Sequence, residues 1–377
     1  MIKSLYYSKA TWWFLASVLS IFWLASNLTR SAPAPRNDLR SYVMGARAVS
    51  RGESPYDGNY GYYYPPLLAV IASPAAFADD DEIALTGRVI LALSSIVLLL
   101  ASASLTGLGG TPWGLALSAT LFLPLFQEGL AFGNISVVVA AILAVVGLIL
   151  RRFPLGAGAL LALATHLKVV PVLFILFLLL SGIVRKDRTA LKAAVSATVL
   201  SAALLALPWT GEYVSLVLSG GMQDAKIACG SNFSWVAYFA AVGIPLPSVV
   251  PVALALGAVW LLVRGKTEIN TIDWSILHCL VVFASPIVWF HTFALAVLPA
   301  TMVAAGVIRG RRISGLKSLA LLDRLLALAA FAIVMDSEYY YMRSWIGRFV
   351  TPLLPLLLPV FLVWALIRQG PDGRPVS

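Results

Sequence analysis

Residues 134–152 read NISVVVAAILAVVGLILRR, an apolar run of helix length that ends at a pair of arginines. Such a run is long enough to cross the hydrocarbon core of a bilayer, about 30 Å thick, and terminal arginines are typical of the cytoplasmic boundary. Similar runs recur along the whole chain, which is 60% hydrophobic and only 12% charged. Soluble domains carry about 25% charged residues. The sequence therefore predicts an all-α integral membrane protein, with residues 1–377 forming a single polytopic domain.

The apolar pattern predicts about twelve transmembrane helices. They cover residues 10–28, 84–106, 112–126, 134–150, 155–167, 169–184, 189–208, 247–263, 274–290, 292–308, 318–335 and 346–367. The first run follows two lysines and precedes Ala32-Pro33-Ala34, a pattern shared with secretory signal peptides. Its helix length favours a first membrane span over a cleaved signal.

The distribution of charge predicts the orientation of these helices. With the N-terminus inside, the inner segments hold sixteen basic and four acidic residues, whereas the outer segments hold ten basic and twelve acidic ones. Because basic residues accumulate on the cytoplasmic side, both termini are predicted to be cytoplasmic. Residues 29–83 then form an outer loop. Within it we predict a short amphipathic helix over 39–50 and, over the proline-interrupted stretch 62–78, a broken helix along the outer face.

Composition also limits the classes of partner. The net charge of +10 could indicate nucleic-acid binding, but the basic residues concentrate in the inner segments, where membrane topology explains them. No nucleic-acid partner is therefore expected. The chain has no soluble stretch long enough for a nucleotide-binding domain. Cys229 and Cys279 lack metal-ligand spacing and an obvious partner, so the sequence indicates no disulfide framework. No Walker loop or HExxH motif appears either, and neither a metal nor a cofactor is expected.

Polar and aromatic residues from separate loops share the predicted outer face. Among them are Asp38, Tyr42, Tyr62, Tyr64, Glu128, Asn134, His166, Lys168, Trp289, His291 and Arg348. Asp38 lies where a carboxylate could act as a general base or merely cap the following helix. Lys168 could pair with a phosphate or extend to the membrane interface. The aromatic residues could contact sugar rings or form an interfacial belt. These alternatives remain open at this point.

Several motifs resemble a known family. Three segments resemble the first outer loop of polyprenyl-phosphate-sugar-dependent glycosyltransferases of the GT-C superfamily. They are Asp38-Leu39-Arg40-Ser41-Tyr42, Arg51-Gly52-Glu53-Ser54-Pro55-Tyr56 and Tyr64-Pro65-Pro66-Leu67. The same order continues with Gly133-Asn134, His166-Leu167-Lys168-Val169-Val170-Pro171, and Ser285-Pro286 with Trp289 and His291. The resemblance is closest to glycosyltransferase family 87, which includes mycobacterial α-mannosyltransferases and an arabinofuranosyltransferase. Members often carry Gln before the Asn and Asp or His near position 290, whereas this chain has Gly133 and Phe290.

The resemblance implies a GT-C type fold and a hexosyltransferase that moves a sugar, mannose foremost, from a polyprenyl-phosphate donor to a lipid or glycan acceptor. Transfer would occur on the outer face of the plasma membrane, with inversion at the anomeric carbon and no metal. Asp38 would be the catalytic base. Lys168, His166, His291 and Arg348 would bind the donor phosphate. Tyr42, Tyr62, Tyr64, Glu128, Asn134 and Trp289 would contact substrate.

The competing class is a transporter or flippase for lipid-linked or small polar substrates. Such proteins place ionisable residues near the bilayer midplane on broken helices, often within inverted repeats. Here the ionisable residues lie almost entirely at the ends of the predicted spans, and no repeat is evident. This distribution favours the transferase. A purely structural membrane protein would leave the outer polar cluster unexplained.

Overall fold

The computed structural model describes residues 14, 17–23, 25, 37–57, 61–107, 133–218, 234–241, 243, 247–264, 269–285, 290–299 and 301–302. The α-helices are α1 (Asn37–Ser50), α2 (Pro66–Ala72), α3 (Asp80–Leu105), α4 (Ser136–Ile149), α5 (Pro154–Leu167), α6 (Val172–Val184), α7 (Arg188–Leu204), α8 (Thr210–Leu218), α9 (Trp235–Ala241), α10 (Val249–Arg264) and α11 (Thr271–Ala284). The 3₁₀ helices are Ser73–Phe77 and Phe290–Ala296. These residues contain no strand, so the predicted all-α class is confirmed for this part of the chain.

Most predicted spans within the described residues coincide with helices to within a few residues. The largest difference is at α11, which ends at Ala284 instead of continuing to residue 290. Ser285 is extended, because a residue that precedes a proline, here Pro286, is disfavoured in the helical conformation. The predicted spans at 112–126, 318–335 and 346–367 lie outside the described residues, as does most of 10–28.

One described helix differs from the others in length. Among the described helices only Asp80–Leu105 is both long and apolar enough to cross a membrane by itself. The other apolar helices, such as Ser136–Ile149 and Val249–Arg264, have 10–17 residues. The count of twelve spans therefore stays a prediction.

The bundle is apolar on its outside as well as in its core. Large hydrophobic side chains are exposed on α3, α7 and α10, among them Ile90, Leu93, Val195, Val199, Leu254 and Leu261. Extended apolar surface of this kind is unfavourable in water and suits contact with lipid chains.

Local capping explains where several helices begin. Asp79 precedes α3 and accepts a hydrogen bond from the backbone N–H of Glu82 at 2.8 Å. The acidic run that follows lies in the first turn of α3, where negative charge is favourable against the helix dipole. Asp187 caps α7 in the same way, and Asn270 and Asp273 form a capping box at α11.

Small residues allow the central helices to pack closely. A Cβ atom on Gly158 of α5 would lie 2.2 Å from the backbone oxygen of Ala193 in α7. Ala190, Ala194 and Ala197 continue this contact along α7 and are fully buried. Close backbone approach through glycine and alanine is typical of helix packing in membranes. Through these contacts α5 lies between α4 and α7.

The segment that precedes α3 folds back on the end of this bundle. As predicted, 39–50 lies in a helix, α1, and 62–78 contains a broken helix, because α2 gives way to a 3₁₀ turn at Ser73-Pro74. Arg47 of α1 donates to Asp80 at 3.0 Å and to the carbonyl of Ala76 at 3.4 Å. α2 also packs against α5. The start of α1 is thereby held over the end of α5, where the polar residues gather.

A buried ion pair joins helices at the opposite end of the bundle. The Arg185 guanidinium lies 3.6 Å from the Asp273 carboxylate, and both side chains are almost fully buried. Arg185 also donates to the carbonyls of Val263, at 2.9 Å, and Leu262 at the end of α10. One side chain therefore links the end of α6 to α10 and α11.

Candidate active site

Asp38 lies in the first turn of α1 and is only 9% exposed. Its Oδ2 accepts a hydrogen bond from Nδ2 of Asn134 at 2.8 Å, and its Oδ1 accepts one from the Tyr64 hydroxyl at 3.4 Å. Both carboxylate oxygens therefore have partners from elements distant in sequence. Capping of α1 alone does not account for this position.

The turn before α4 fixes the orientation of the Asn134 amide. Its Oδ1 accepts from the backbone N–H of Ser136 at 2.8 Å, so its NH₂ group is left to donate to Asp38 and, at 3.2 Å, to Tyr64. Gly133 permits this turn because its φ is +70°, a conformation that disfavours other residues. A Cβ atom on Gly133 would also lie 2.4 Å from Cβ of Leu39. The Gly133 departure from the family pattern thus has a steric reason here.

A cluster of tyrosines supports the carboxylate. The Tyr42 and Tyr64 rings meet edge to face with centroids 4.8 Å apart, and the Tyr42 hydroxyl accepts from the backbone N–H of Ile135 at 3.3 Å. Burial is the main reason that the pKa values of Tyr42 and Tyr64 are raised, with the Asp38 charge adding to both. The two phenols therefore stay protonated at neutral pH. Tyr64 serves Asp38 as a hydrogen-bond donor.

Tyr62 has an internal role. Its hydroxyl donates to the carbonyl of Pro65 at 2.8 Å and accepts from the backbone N–H of Ala69 at 3.0 Å. The side chain is 2% exposed, and it fastens the start of α2.

Lys168 follows the last residue of α5, where the backbone becomes extended. Its ammonium donates to the Ser136 hydroxyl at 2.7 Å. Burial lowers the pKa of Lys168 to about 8, and the Asp38 charge opposes that shift. The lysine is thus a partly desolvated cation that responds to Asp38, and an incoming anion would stabilise its charged form.

Asp38, Tyr64, His166 and Lys168 share the wall of one cavity of about 700 Å³. Its walls are of two kinds. Polar groups come from the start of α1, the segment before α2 and the end of α5. The apolar wall comes from α6, α8 and the residue that follows α7, with Val172, Ile175, Leu205, Val214, Val217 and Leu218, and α7 itself adds the hydroxyl groups of Thr198 and Ser201. The cavity can therefore hold a ligand that is polar at one part and hydrocarbon at another.

The structure divides the predicted site residues into three groups. Asp38, Tyr64, His166 and Lys168 come together in the cavity. Asn134, Tyr42 and Tyr62 lie behind this wall and support it, so none of the three contacts the cavity directly. The backbone of His291 lies in the second 3₁₀ helix, but its side chain is outside the described residues, as are Glu128, Trp289 and Arg348.

Sequence reasoning missed several residues that complete the site. Ser136 accepts from Lys168, while Tyr213 lines the cavity. Tyr56 donates to the carbonyl of Tyr64 at 2.8 Å. The tyrosines carried only a general aromatic signal. Ser136 lies two residues after Asn134 of the Gly-Asn motif, and that proximity was the one available indication.

A carboxylate with fixed donors beside a desolvated lysine can perform general-base chemistry on a hydroxyl group. The donors hold the carboxylate in one orientation, and the nearby cation can neutralise an anionic leaving group. The apolar wall can accommodate a lipid chain. Together these features define a helical protein with an apolar exterior and a cavity that combines a carboxylate, a cation and an apolar wall.

Comparison with known proteins identifies the family. The model of glycosyltransferase family 87 matches residues 62–286, more than half of the chain, and the chain belongs to this family. Asp38 precedes the matched range, so the match does not by itself assign its role.

Two mycobacterial relatives are similar to this chain. Each is described as a polyprenol-phosphate-mannose-dependent α-(1-2)-phosphatidylinositol mannoside mannosyltransferase. The one from Mycobacterium tuberculosis is 33% identical over 226 residues, covering 52% of this chain and 51% of the relative. The one from Mycolicibacterium smegmatis is 28% identical over 338 residues, covering 77% of this chain and 75% of the relative. The chain thus aligns with about half of the first relative's length.

Proposed function

We propose that this protein transfers mannose from a polyprenyl-phosphate donor to a glycolipid acceptor, with inversion at the anomeric carbon. The family and the activity by which the two relatives are described support the donor and the sugar. The acceptor named for both relatives is a phosphatidylinositol mannoside, and we propose an acceptor of that class.

The observation that carries the proposal is the placement of Asp38 and Lys168 in one cavity with an apolar wall. A lipid-linked sugar phosphate has three parts, a hydrocarbon chain, a phosphate and a sugar. The apolar wall suits the chain and Lys168 suits the phosphate. Asp38 and the neighbouring tyrosines then face the remaining space, where the sugar and the acceptor hydroxyl would meet.

The proposed reaction is a single displacement. Asp38 takes the proton of the acceptor hydroxyl as its oxygen bonds to the anomeric carbon. The bond from that carbon to the phosphate oxygen breaks, and polyprenyl phosphate leaves with the electron pair. Attack from the face opposite the leaving group inverts the anomeric centre. Lys168 neutralises the departing phosphate, so no acid and no metal is used in this scheme.

Lys168 is suited to the phosphate role by its electrostatics. Burial lowers the pKa of Lys168 to about 8, so the ammonium is still mostly protonated at neutral pH. Because the ammonium is buried, it also has little water to displace when a phosphate binds. His166, 9% exposed on the last turn of α5, is the second candidate in the cavity. His291 and Arg348 remain candidates for the same role.

We place this site at the outer face of the plasma membrane, with both termini cytoplasmic. The excess of basic residues in the predicted inner segments supports this orientation. The partners in the proposal are the lipid-linked donor, the glycolipid acceptor and the surrounding lipids.

The test is direct transfer in a defined system. The protein, purified and placed in liposomes, is given radiolabelled polyprenyl-phosphate-mannose with phosphatidylinositol mannoside, and in parallel the arabinose analogue of the donor. We expect label from mannose in the glycolipid. Label in the glycolipid from arabinose alone would overturn the sugar assignment. Donor that changes leaflet with no transfer would replace the transferase with a flippase.

A further inference from the structure

The short helix α8 forms part of the cavity wall, although none of its residues is buried. Thr210, Tyr213, Val214, Val217 and Leu218 all line the cavity. A nine-residue helix is marginally stable alone, so contacts with other elements must hold it in place. The position of this part of the wall therefore depends on the described contacts of α8 with the segment that follows α1.

Neighbouring residues of α8 make these contacts. The Ser54 hydroxyl, in the outer loop after α1, donates to the Glu212 carboxylate across 158 positions of sequence. Tyr213 packs against Tyr56, with ring centroids 5.9 Å apart. Ser54 is itself buried, and its oxygen accepts from the backbone N–H of Tyr56 at 3.2 Å.

The same loop continues to the carboxylate. The Tyr56 hydroxyl donates to the backbone carbonyl of Tyr64 at 2.8 Å. The Tyr64 hydroxyl in turn donates to Asp38 at 3.4 Å. A series of hydrogen bonds and one ring contact thus runs from Glu212 and Tyr213 to Asp38, passing through the backbone of Tyr56 and of Tyr64.

We propose that Glu212 and Tyr213 are positioning residues, which act through Ser54, Tyr56 and Tyr64 to orient the Asp38 carboxylate toward the acceptor. The inference rests on the proposed function. Tyr213 lines the cavity and, like Glu212, is linked to Asp38 through the segment that follows α1. The Asp38 carboxylate would therefore be aligned only when α8 is in place. Loss of this linkage misplaces Asp38 without removing it.

The test separates positioning from substrate binding through steady-state kinetics. Misplacement of a reacting group by about 1 Å costs roughly 100-fold in rate, so Glu212→Ala and Ser54→Ala should each lower kcat by roughly 10- to 100-fold, a larger factor than any rise in the donor KM that follows from displacement of α8. The double variant should be no slower than either single variant, because the two residues form one contact. Glu212→Gln should restore the rate, since its amide oxygen can still accept from Ser54.

Matched variants complete the test. Glu53→Ala removes a neighbouring carboxylate that pairs with Arg51 on the surface, and it should leave kcat unchanged. Tyr56→Phe keeps the ring but loses the bond to Tyr64, and it should lower kcat even if Glu212→Ala fails to fold. A rise in donor KM with normal kcat, or additive effects of Ser54→Ala and Glu212→Ala, would overturn the inference. Absence of mannose transfer by the unmodified protein would instead overturn the proposed function.

Discussion

Burial disfavours the charged form of Lys168, so the proposed role of this residue in binding the donor phosphate can be tested by substitution and by varying the pH. Replacing it with alanine should weaken donor binding by about 1.5–3 kcal/mol, the range for a hydrogen bond to a charged group. Because burial lowers its pKa to about 8, affinity for the donor should fall as pH rises through that value. Lys168→Arg stays charged over this range and should show no such decline. Binding of labelled donor to purified protein between pH 6 and 10 checks both expectations. Full affinity in Lys168→Ala would assign the lysine to another role.

Gly133 should be intolerant of any side chain. Alanine at φ +70° costs about 1–2 kcal/mol, and its Cβ would also press on Leu39. Because Asn134 follows directly, the displacement should weaken its bond to Asp38 and lower both thermal stability and transfer. Gly257→Ala is the control, since nothing lies within 4 Å of a Cβ there and its φ is not positive. An unfolding midpoint for Gly133→Ala equal to that of the control would contradict this explanation.

At the scale of single residues, the sequence predicted several of the residues that the structure brings together, but not the contacts between them. Asp38 and Asn134 were both predicted site residues, but they lie 96 positions apart and their hydrogen bond depends on how α1 docks against the turn before α4. Tyr62 was predicted to contact substrate, and the structure shows its hydroxyl engaged with the backbone of Pro65 and Ala69. Neither pairing follows from a local pattern, because each is fixed by tertiary packing.

The junction of α6, α10 and α11 depends on one buried cation. Arg185→Met keeps much of the side-chain volume but leaves Asp273 buried without its partner charge, which should cost about 3–5 kcal/mol. Adding Asp273→Asn removes the uncompensated charge, so the double variant should recover part of the loss. The unfolding midpoint in detergent measures both effects. Arg51→Met breaks an exposed pair and should cost only about 0–1 kcal/mol. Equal midpoints for Arg185→Met and Arg51→Met would contradict the structural role of the buried pair.

Apolar periodicity predicted most helix boundaries, because long apolar runs leave few other structures possible in a membrane. Its failures have local causes. α11 stops at Ala284 ahead of Ser285-Pro286, a signal present in the sequence but outweighed by the continuing apolar run. The helices α8 and α9 were not predicted, since the first has no buried residue and the second has only seven residues. Short helices of this kind are fixed by contacts with other elements.

At the scale of the whole molecule, the charge asymmetry predicts which face carries the site. Reporters fused after Arg152 or Arg188 should be cytoplasmic, and a reporter within 212–230 should be external. Alkaline phosphatase, active only outside, and a fluorescent protein that matures only inside give opposite signals at each fusion point. A cytoplasmic signal from 212–230 would move the cavity to the inner face.

The central claim is that Asp38 is the general base, and Asp38→Asn tests it most directly. The substitution keeps the size of the side chain and an oxygen that can accept from Asn134 or Tyr64, but the amide cannot take a proton at neutral pH. A positioned base contributes about 10²–10⁴-fold, so mannose transfer should fall by that factor while donor affinity and unfolding midpoint stay close to those of the unmodified protein. Glu128→Gln, tested beside it, should lower transfer far less than Asp38→Asn, because Glu128 is expected to contact substrate and not to take the proton. Transfer by Asp38→Asn at the rate of the unmodified protein would contradict the account.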